Sequence, residues 1–249
     1  LGDENGGFST TMLFPILAVP AASLPADGDW NGDLRPDLAV ATAGGVALLL
    51  GNEQGSFRSP NRVAATPAVF LATGDFDKDA KPDLAAAGNG LLSVHLGDGK
   101  GGIRATSERA AGLAGSPGGL LTGDWNGDGN LDLVLGSYVE AKMFLGDGAG
   151  GMEPGNSVSI IDFNTPLLLT AGDFDGDRKL DLVIGNQAVG GVSVLFGDGH
   201  GNFPTRSSYL LTAQALAAAD INGAEKLDLV IGTSSAIVIL LGRDKQTFA

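Results

Sequence analysis

The sequence contains no cysteine, so no disulfide holds the fold, and the redox compartment stays open. It has two histidines, and aromatic residues make up 6%. No nucleophile motif or phosphate loop appears, and helical 3.6 periodicity is hard to find. No apolar run approaches the roughly 18–20 residues needed to span a bilayer. Runs such as Ala236–Leu241 have strand length. No signal peptide is visible, although the numbering starts inside a repeat, as it would had upstream sequence been removed. Basic charge is scarce: the net charge is −14, which speaks against binding a nucleic-acid backbone.

The acidity is concentrated. One loop returns five times: DWNGDLRPDLAVA (29–41), DFDKDAKPDLAAA (75–87), DWNGDGNLDLVLG (124–136), DFDGDRKLDLVIG (173–185) and DINGAEKLDLVIG (220–232). Successive copies start 46, 49, 49 and 47 residues apart. Sixteen of the 29 acidic residues are aspartates at positions 1, 3, 5 and 9 of these loops. A period in this range predicts a propeller or solenoid with one supersecondary unit per repeat, within a single domain spanning 1–249.

A second element recurs between the loops, as in LGNEQGSF (50–57), LGDGKGGI (96–103), LGDGAGGM (145–152) and FGDGHGNF (196–203). LGDENGGF (1–8) and LGRDKQTF (241–248) match it at the two ends. Its Gly, Asp and Asn favour the positive φ of hairpin turns. In the fourth repeat the pattern predicts strands over Pro166–Gly172, Leu180–Asn186, Gly191–Phe196 and Phe203–Leu211. The inner and second strands read as apolar on both faces. Pro25, near the end of the first inner strand, suits an edge facing a central channel. The expected fold is all-β: a propeller of five four-stranded antiparallel blades. The N-terminal strand from Phe8 onward is expected to complete the three-stranded last repeat and close the ring, giving a monomer. The competing reading is a piece of a larger ring.

Oxygen donors at positions 1, 3, 5, 7 and 9 suit a hard cation, with the backbone carbonyl supplying position 7. The candidates are Asp29, Asn31, Asp33, Arg35 and Asp37; Asp75, Asp77, Asp79, Lys81 and Asp83; Asp124, Asn126, Asp128, Asn130 and Asp132; and Asp173, Asp175, Asp177, Lys179 and Asp181. The fifth copy offers Asp220, Asn222, Lys226 and Asp228, but Ala224 replaces the carboxylate at position 5. Four strong Ca2+ sites and a weak or empty fifth are expected. An EF-hand is excluded, because position 6 is not a consistent glycine and position 12 is apolar. Magnesium fits less well, since it seldom takes an all-protein cage. The bland reading is a set of Asx-type turns with solvated carboxylates.

At these residues the chain resembles the FG-GAP/VCBS-type repeats of integrin α-subunits, secreted bacterial proteins and fungal lectins. The repeated D-x-[DN]-x-D-x-x-x-D-L motif and the LGDGxGxF element carry the resemblance over nearly the whole chain. It implies calcium held between the first two strands of each blade. The departures are a count of five, where six or seven is usual, and Ala224.

Enzyme activity finds little support. The aspartates are explained by metal binding, and structural roles are expected for His95 and His200. Trp30 and Trp125 stand where Phe76, Phe174 and Ile221 stand in other copies, which suggests blade packing over a sugar platform. The expected function is a non-enzymatic, calcium-stabilised binding module, secreted or at the cell surface, with lectin-like glycan recognition. The alternatives are a protein-adhesion module of integrin type, a propeller accessory to a secreted enzyme, or an engineered or excised scaffold without its own ligand. Neither nucleic acid nor membrane insertion is expected.

Overall fold

The structure is a computed structural model that describes residues 25–65, 67–137, 139–160, 167–186, 191–243 and 247–248. Among them every regular element is a strand. The chain forms two compact units, Leu1–Ala110 and Ala111–Ala249.

Unit 1 holds two antiparallel sheets. The first runs β1 (Ala26–Gly28), β2 (Asp37–Thr42), β3 (Gly45–Leu49), β4 (Asn61–Ala64). The second runs β5 (Phe70–Gly74), β6 (Asp83–Gly88), β7 (Leu91–Gly97), β8 (Ile103–Ala110). Unit 2 continues with β9 (Pro117–Gly123), β10 (Asp132–Ser137), β11 (Glu140–Gly146), β12 (Met152–Ser159), and then β13 (Leu167–Gly172), β14 (Asp181–Asn186), β15 (Val192–Phe196), β16 (Thr205–Tyr209). A three-stranded sheet follows: β17 (Ala215–Ala219), β18 (Asp228–Gly232) and β19 (Ile237–Leu240). The short pair β20 (Gly242–Arg243) and β21 (Thr247–Phe248) closes its turn. Each sheet is a meander whose neighbours in sequence are neighbours in space, the build of a propeller blade. The expected ring-closing strand from Phe8 and the first copy of the turn element lie outside the described residues.

Blades stack through apolar faces. In unit 1, Trp30, Ala41, Val46 and Leu48 of the first blade pack with Ala68, Leu84 and Ala86 of the second. In unit 2, Trp125, Val134 and Met143 of the third blade meet Leu182, Ile184 and Leu195 of the fourth. Phe174, Val183 and Val194 of the fourth in turn meet Leu229 and Ile231 of the fifth. Burial is deepest in the second and third strands, such as β6 and β3, while the inner strand β5 is only half-buried. In the first two blades the double-sided burial expected of the inner strand is found in the third strand, β3 or β7, instead. Pro25 stands just before β1, where it costs the ladder no hydrogen bond.

Candidate metal centres

Each acidic loop joins the first strand of a blade to the second. Its backbone turns through two left-handed residues, at positions 4 and 6. Position 4 is Gly32, Lys78, Gly127, Gly176 or Gly223. Position 6 is Leu34 (φ 63°), Ala80 (61°), Gly129 (78°), Arg178 (66°) or Glu225 (59°). Four of the five residues at position 6 therefore hold a conformation that costs a residue with Cβ about 1–2 kcal/mol. The absence of glycine there hid this turn from the sequence.

The side chains of positions 1, 3 and 5 cap the turn. In the fourth loop, Asp173 Oδ1 accepts from the N–H of Asp177 at 3.1 Å, and its Oδ2 from that of Arg178 at 2.8 Å. Asp175 Oδ1 accepts from the same Asp177 N–H at 3.1 Å, and Asp177 Oδ1 from the N–H of Lys179 at 3.0 Å. Loops 1, 2 and 3 repeat this pattern through Asp29, Asp75 and Asp124. At position 7 the side chains of Arg35, Lys81 and Lys179 turn back onto the position-5 carboxylates of Asp33, Asp79 and Asp177. Asn130 and Lys226 fill position 7 in the other two loops.

Position 9 has a second task. Its aspartate is fully buried in all five copies, as Asp37, Asp83, Asp132, Asp181 and Asp228. One oxygen accepts from the N–H of position 2: Trp30, Phe76, Trp125, Phe174 or Ile221, at 2.8–2.9 Å. The other accepts from a glycine at or just past the end of the third strand: Gly51, Gly97, Gly146, Gly197 or Gly242, at 2.7–2.8 Å. One carboxylate thus ties the loop to the far side of its own blade. Burial away from water raises the pKa of Asp37, Asp83 and Asp132, and pushes that of Asp181 up to about 6. Those N–H donors and the neighbouring carboxylates work against and with that shift respectively.

The same glycine corrects the expectation that it turns the hairpin. Gly97, Gly146 and Gly197 lie outside the left-handed region, which Gly99, Gly101, Gly148 and Gly199 occupy instead. A Cβ on Gly197 would stand 2.1 Å from the carbonyl oxygen of Leu180, and on Gly97 2.3 Å from that of Pro82. Close backbone approach, not φ, requires glycine at this point.

Oxygens ligating one calcium at about 2.4 Å are at most about 4.8 Å apart. Carboxylate oxygens of Asp75, Asp77 and Asp83 all lie within 4.8 Å of one another, as do those of Asp173, Asp175 and Asp181. These residues fit the ion. Loops 1 and 3 place the amides of Asn31 and Asn126 at position 3, and loop 5 has Asn222 there with Ala224 at position 5.

A matching family settles which repeats these are. The FG-GAP-like repeat matches residues 29–86, 75–135, 124–184 and 173–231, each span running from one acidic loop into the next. The chain belongs to this family. Among solved structures, the FG-GAP-like chain is similar to an Agrocybe aegerita lectin whose structure concerns specific recognition of non-reducing terminal N-acetylglucosamine. The TM-score is 0.65 at 18% identity, over 91% of this chain and 64% of the lectin. It is also similar to BBS1N in complex with ARL6DN, with a TM-score of 0.54 at 17% identity, over 83% of this chain and 60% of that one. The FG-GAP-like chain thus spans less than two thirds of either structure's length, and at these identities the likeness is one of fold. No curated protein matches it by sequence.

Beside the loops, unit 2 contains a cleft of about 700 Å³ between the third and fourth blades. Val134, Ala141, Met143 and β12 residues Asn156–Ser159 form one wall, and the turn residues Gly201–Pro204 the other. The Asn156 amide donates to Asn202 Oδ1 across it, and Asn202 Nδ2 donates to Asp198 Oδ2 at 2.9 Å. Sequence reasoning missed this cleft, because its walls come from sequence segments about 45 residues apart. Trp125 is buried beneath, edge-on to Phe203 at 5.8 Å, and Trp30 is likewise buried, so both indoles pack blades together. His95 is buried in β7, its ring nitrogens 3.0 Å from Ser93 Oγ and Thr106 Oγ1. His200 is exposed in a turn.

Proposed function

We propose that the chain is a calcium-stabilised, non-catalytic module, secreted or at the cell surface, that recognises glycans in the cleft between its third and fourth blades. The cleft carries the reading. Its lining has amides and hydroxyls from Asn156, Ser157, Ser159 and Asn202, an apolar floor from Met143, Val158 and Phe203, and no charged side chain. A neutral sugar needs that combination: directional donors and acceptors for its hydroxyls, and apolar surface for its C–H faces. The fold shared with a lectin supports the same class of ligand. A glycan array that includes N-acetylglucosamine-terminated chains tests it. Binding by the wild type, weakened at least tenfold in Asn156→Ala/Asn202→Ala with unchanged circular dichroism, is the expected result. No binding anywhere on the array overturns the glycan reading in favour of protein contacts.

The loops support the calcium part. When bound, calcium cancels the repulsion among the carboxylates of one loop. Asp75, Asp77 and Asp83, and Asp173, Asp175 and Asp181, would hold it, while position 9 keeps its hold on the third strand. Extracellular modules operate with weak calcium affinities, about 10⁻⁴–10⁻³ M, which suits the proposed location. The candidate acids are engaged by backbone N–H groups, and His95 by two hydroxyls, an arrangement for holding structure rather than turning over substrate.

A further inference from the structure

Loop 2 differs from the others in one neighbour. Arg104, on β8 of the same blade, sends its guanidinium into the acidic cluster, where Nη2 pairs with Asp77 and stands 3.4 Å from Asp79 Oδ2. Its Nε donates to the carbonyl of Gly97 at 3.2 Å, which fixes the arm over the loop. Lys81 Nζ approaches Asp79 Oδ2 from another side at 2.7 Å. Asp77 is one of the three carboxylates whose oxygens converge within 4.8 Å, so the guanidinium occupies a side of the cation site itself. The equivalent residues in other blades are Arg58, which is exposed, Glu153 and Pro204. Glu153 and Pro204 bring no cation to their loops from that place.

We infer that Arg104 is a built-in counter-cation for the second loop, holding it folded without metal and lowering its calcium affinity below that of the fourth loop. The inference rests on the calcium reading above. A tethered single charge competes with a divalent ion for the same oxygens: it relieves repulsion when the ion is absent and must be displaced or repelled when the ion binds. Near the surface and at physiological salt the effect corresponds to about tenfold in affinity.

The test compares the full-length wild type, Arg104→Ala and Arg104→Lys by calorimetric calcium titration and by melting in excess chelator. In Arg104→Ala one site should strengthen about tenfold, the gain should vanish on adding Asp77→Asn, and the melting temperature in chelator should fall. Arg104→Lys, which keeps the charge, should lie between and serves if the alanine variant folds poorly. Calcium binding by the wild type that neither substitution alters overturns the role of Arg104 and leaves the calcium reading standing. Absence of calcium binding in all of these proteins overturns the calcium reading and this inference with it.

Discussion

The fourth and fifth acidic loops share one backbone but differ in the carboxylates they carry at positions 3 and 5. In both, position 1 caps the turn: Asp220 accepts from the N–H groups of Ala224 and Glu225 as Asp173 does from Asp177 and Arg178. In both, position 9 ties position 2 to the third strand. Loop 4 then adds Asp175 and Asp177, where loop 5 has Asn222 and Ala224. Position 2 differs too: Phe174 is buried, whereas Ile221 is 53% exposed. The comparison separates two jobs that the sequence merges. Folding the loop needs its backbone N–H groups and the aspartates at 1 and 9. Holding a cation, as proposed, would also need the carboxylate at position 3, which completes the set with 1 and 9.

If that separation is right, the largest effects come from position 9 and are alike in both loops. Asp181→Ala and Asp228→Ala each leave one buried and one partly buried N–H donor unpaired. A buried unpaired group costs about 1–3 kcal/mol and a partly hydrated one less, so each variant should lose about 2–4 kcal/mol in urea unfolding with chelator present. A large loss for Asp181→Ala beside none for Asp228→Ala would break the comparison, because the clasp would then belong to the cation-binding loops alone.

Calcium should divide what position 9 unites. At 100 times its dissociation constant, one bound ion adds about 2.7 kcal/mol. Asp175→Ala should remove about that much of the calcium-dependent stability, whereas Asn222→Ala should leave it within about 0.5 kcal/mol. Differential scanning calorimetry with and without chelator reads both. Equal losses would mean that loop 5 binds despite Ala224.

The sequence located the blades because their signals are local. Alternation and turn residues placed the fourth blade's strands within two residues of Leu167–Gly172, Asp181–Asn186, Val192–Phe196 and Thr205–Tyr209. What stayed hidden acts across the fold. Gly197 reads as a turn residue, yet its need for glycine comes from the Leu180 carbonyl just before β14. Asp181 reads as one ligand among five, yet its bond to Gly197 makes it a buried strut. Arg104 carries no motif in the sequence, and the fold of its blade brings it to Asp77.

Acidity probes the same strut. The folded-state pKa of Asp181 is about 6, above an ordinary carboxylate, so the native state holds the proton more tightly than the unfolded chain. Its contribution is fully present below about pH 4 and is lost as pH rises through 6. In chelator, wild-type stability should therefore carry a downward term between pH 4 and 6 that Asp181→Ala removes. Parallel stability–pH curves for the two proteins would show that Asp181 does not titrate in this window.

The smallest effect concerns the turn that both loops share. Arg178 and Glu225 hold φ of 66° and 59° at position 6, where glycine incurs no steric cost. The left-handed penalty of about 1–2 kcal/mol exceeds the about 0.5–1 kcal/mol of backbone entropy that glycine adds to the unfolded chain. Arg178→Gly and Glu225→Gly should each stabilise by about 0.5–1 kcal/mol in chelator, seen as a higher urea midpoint at unchanged slope. Equal gains would show that the turn itself is the same in both loops. A gain in loop 5 alone would mean that Arg178 repays its strain locally, by adding positive charge beside Asp173, Asp175 and Asp177. Arg178→Ala, which keeps the Cβ and loses the charge, separates those two contributions.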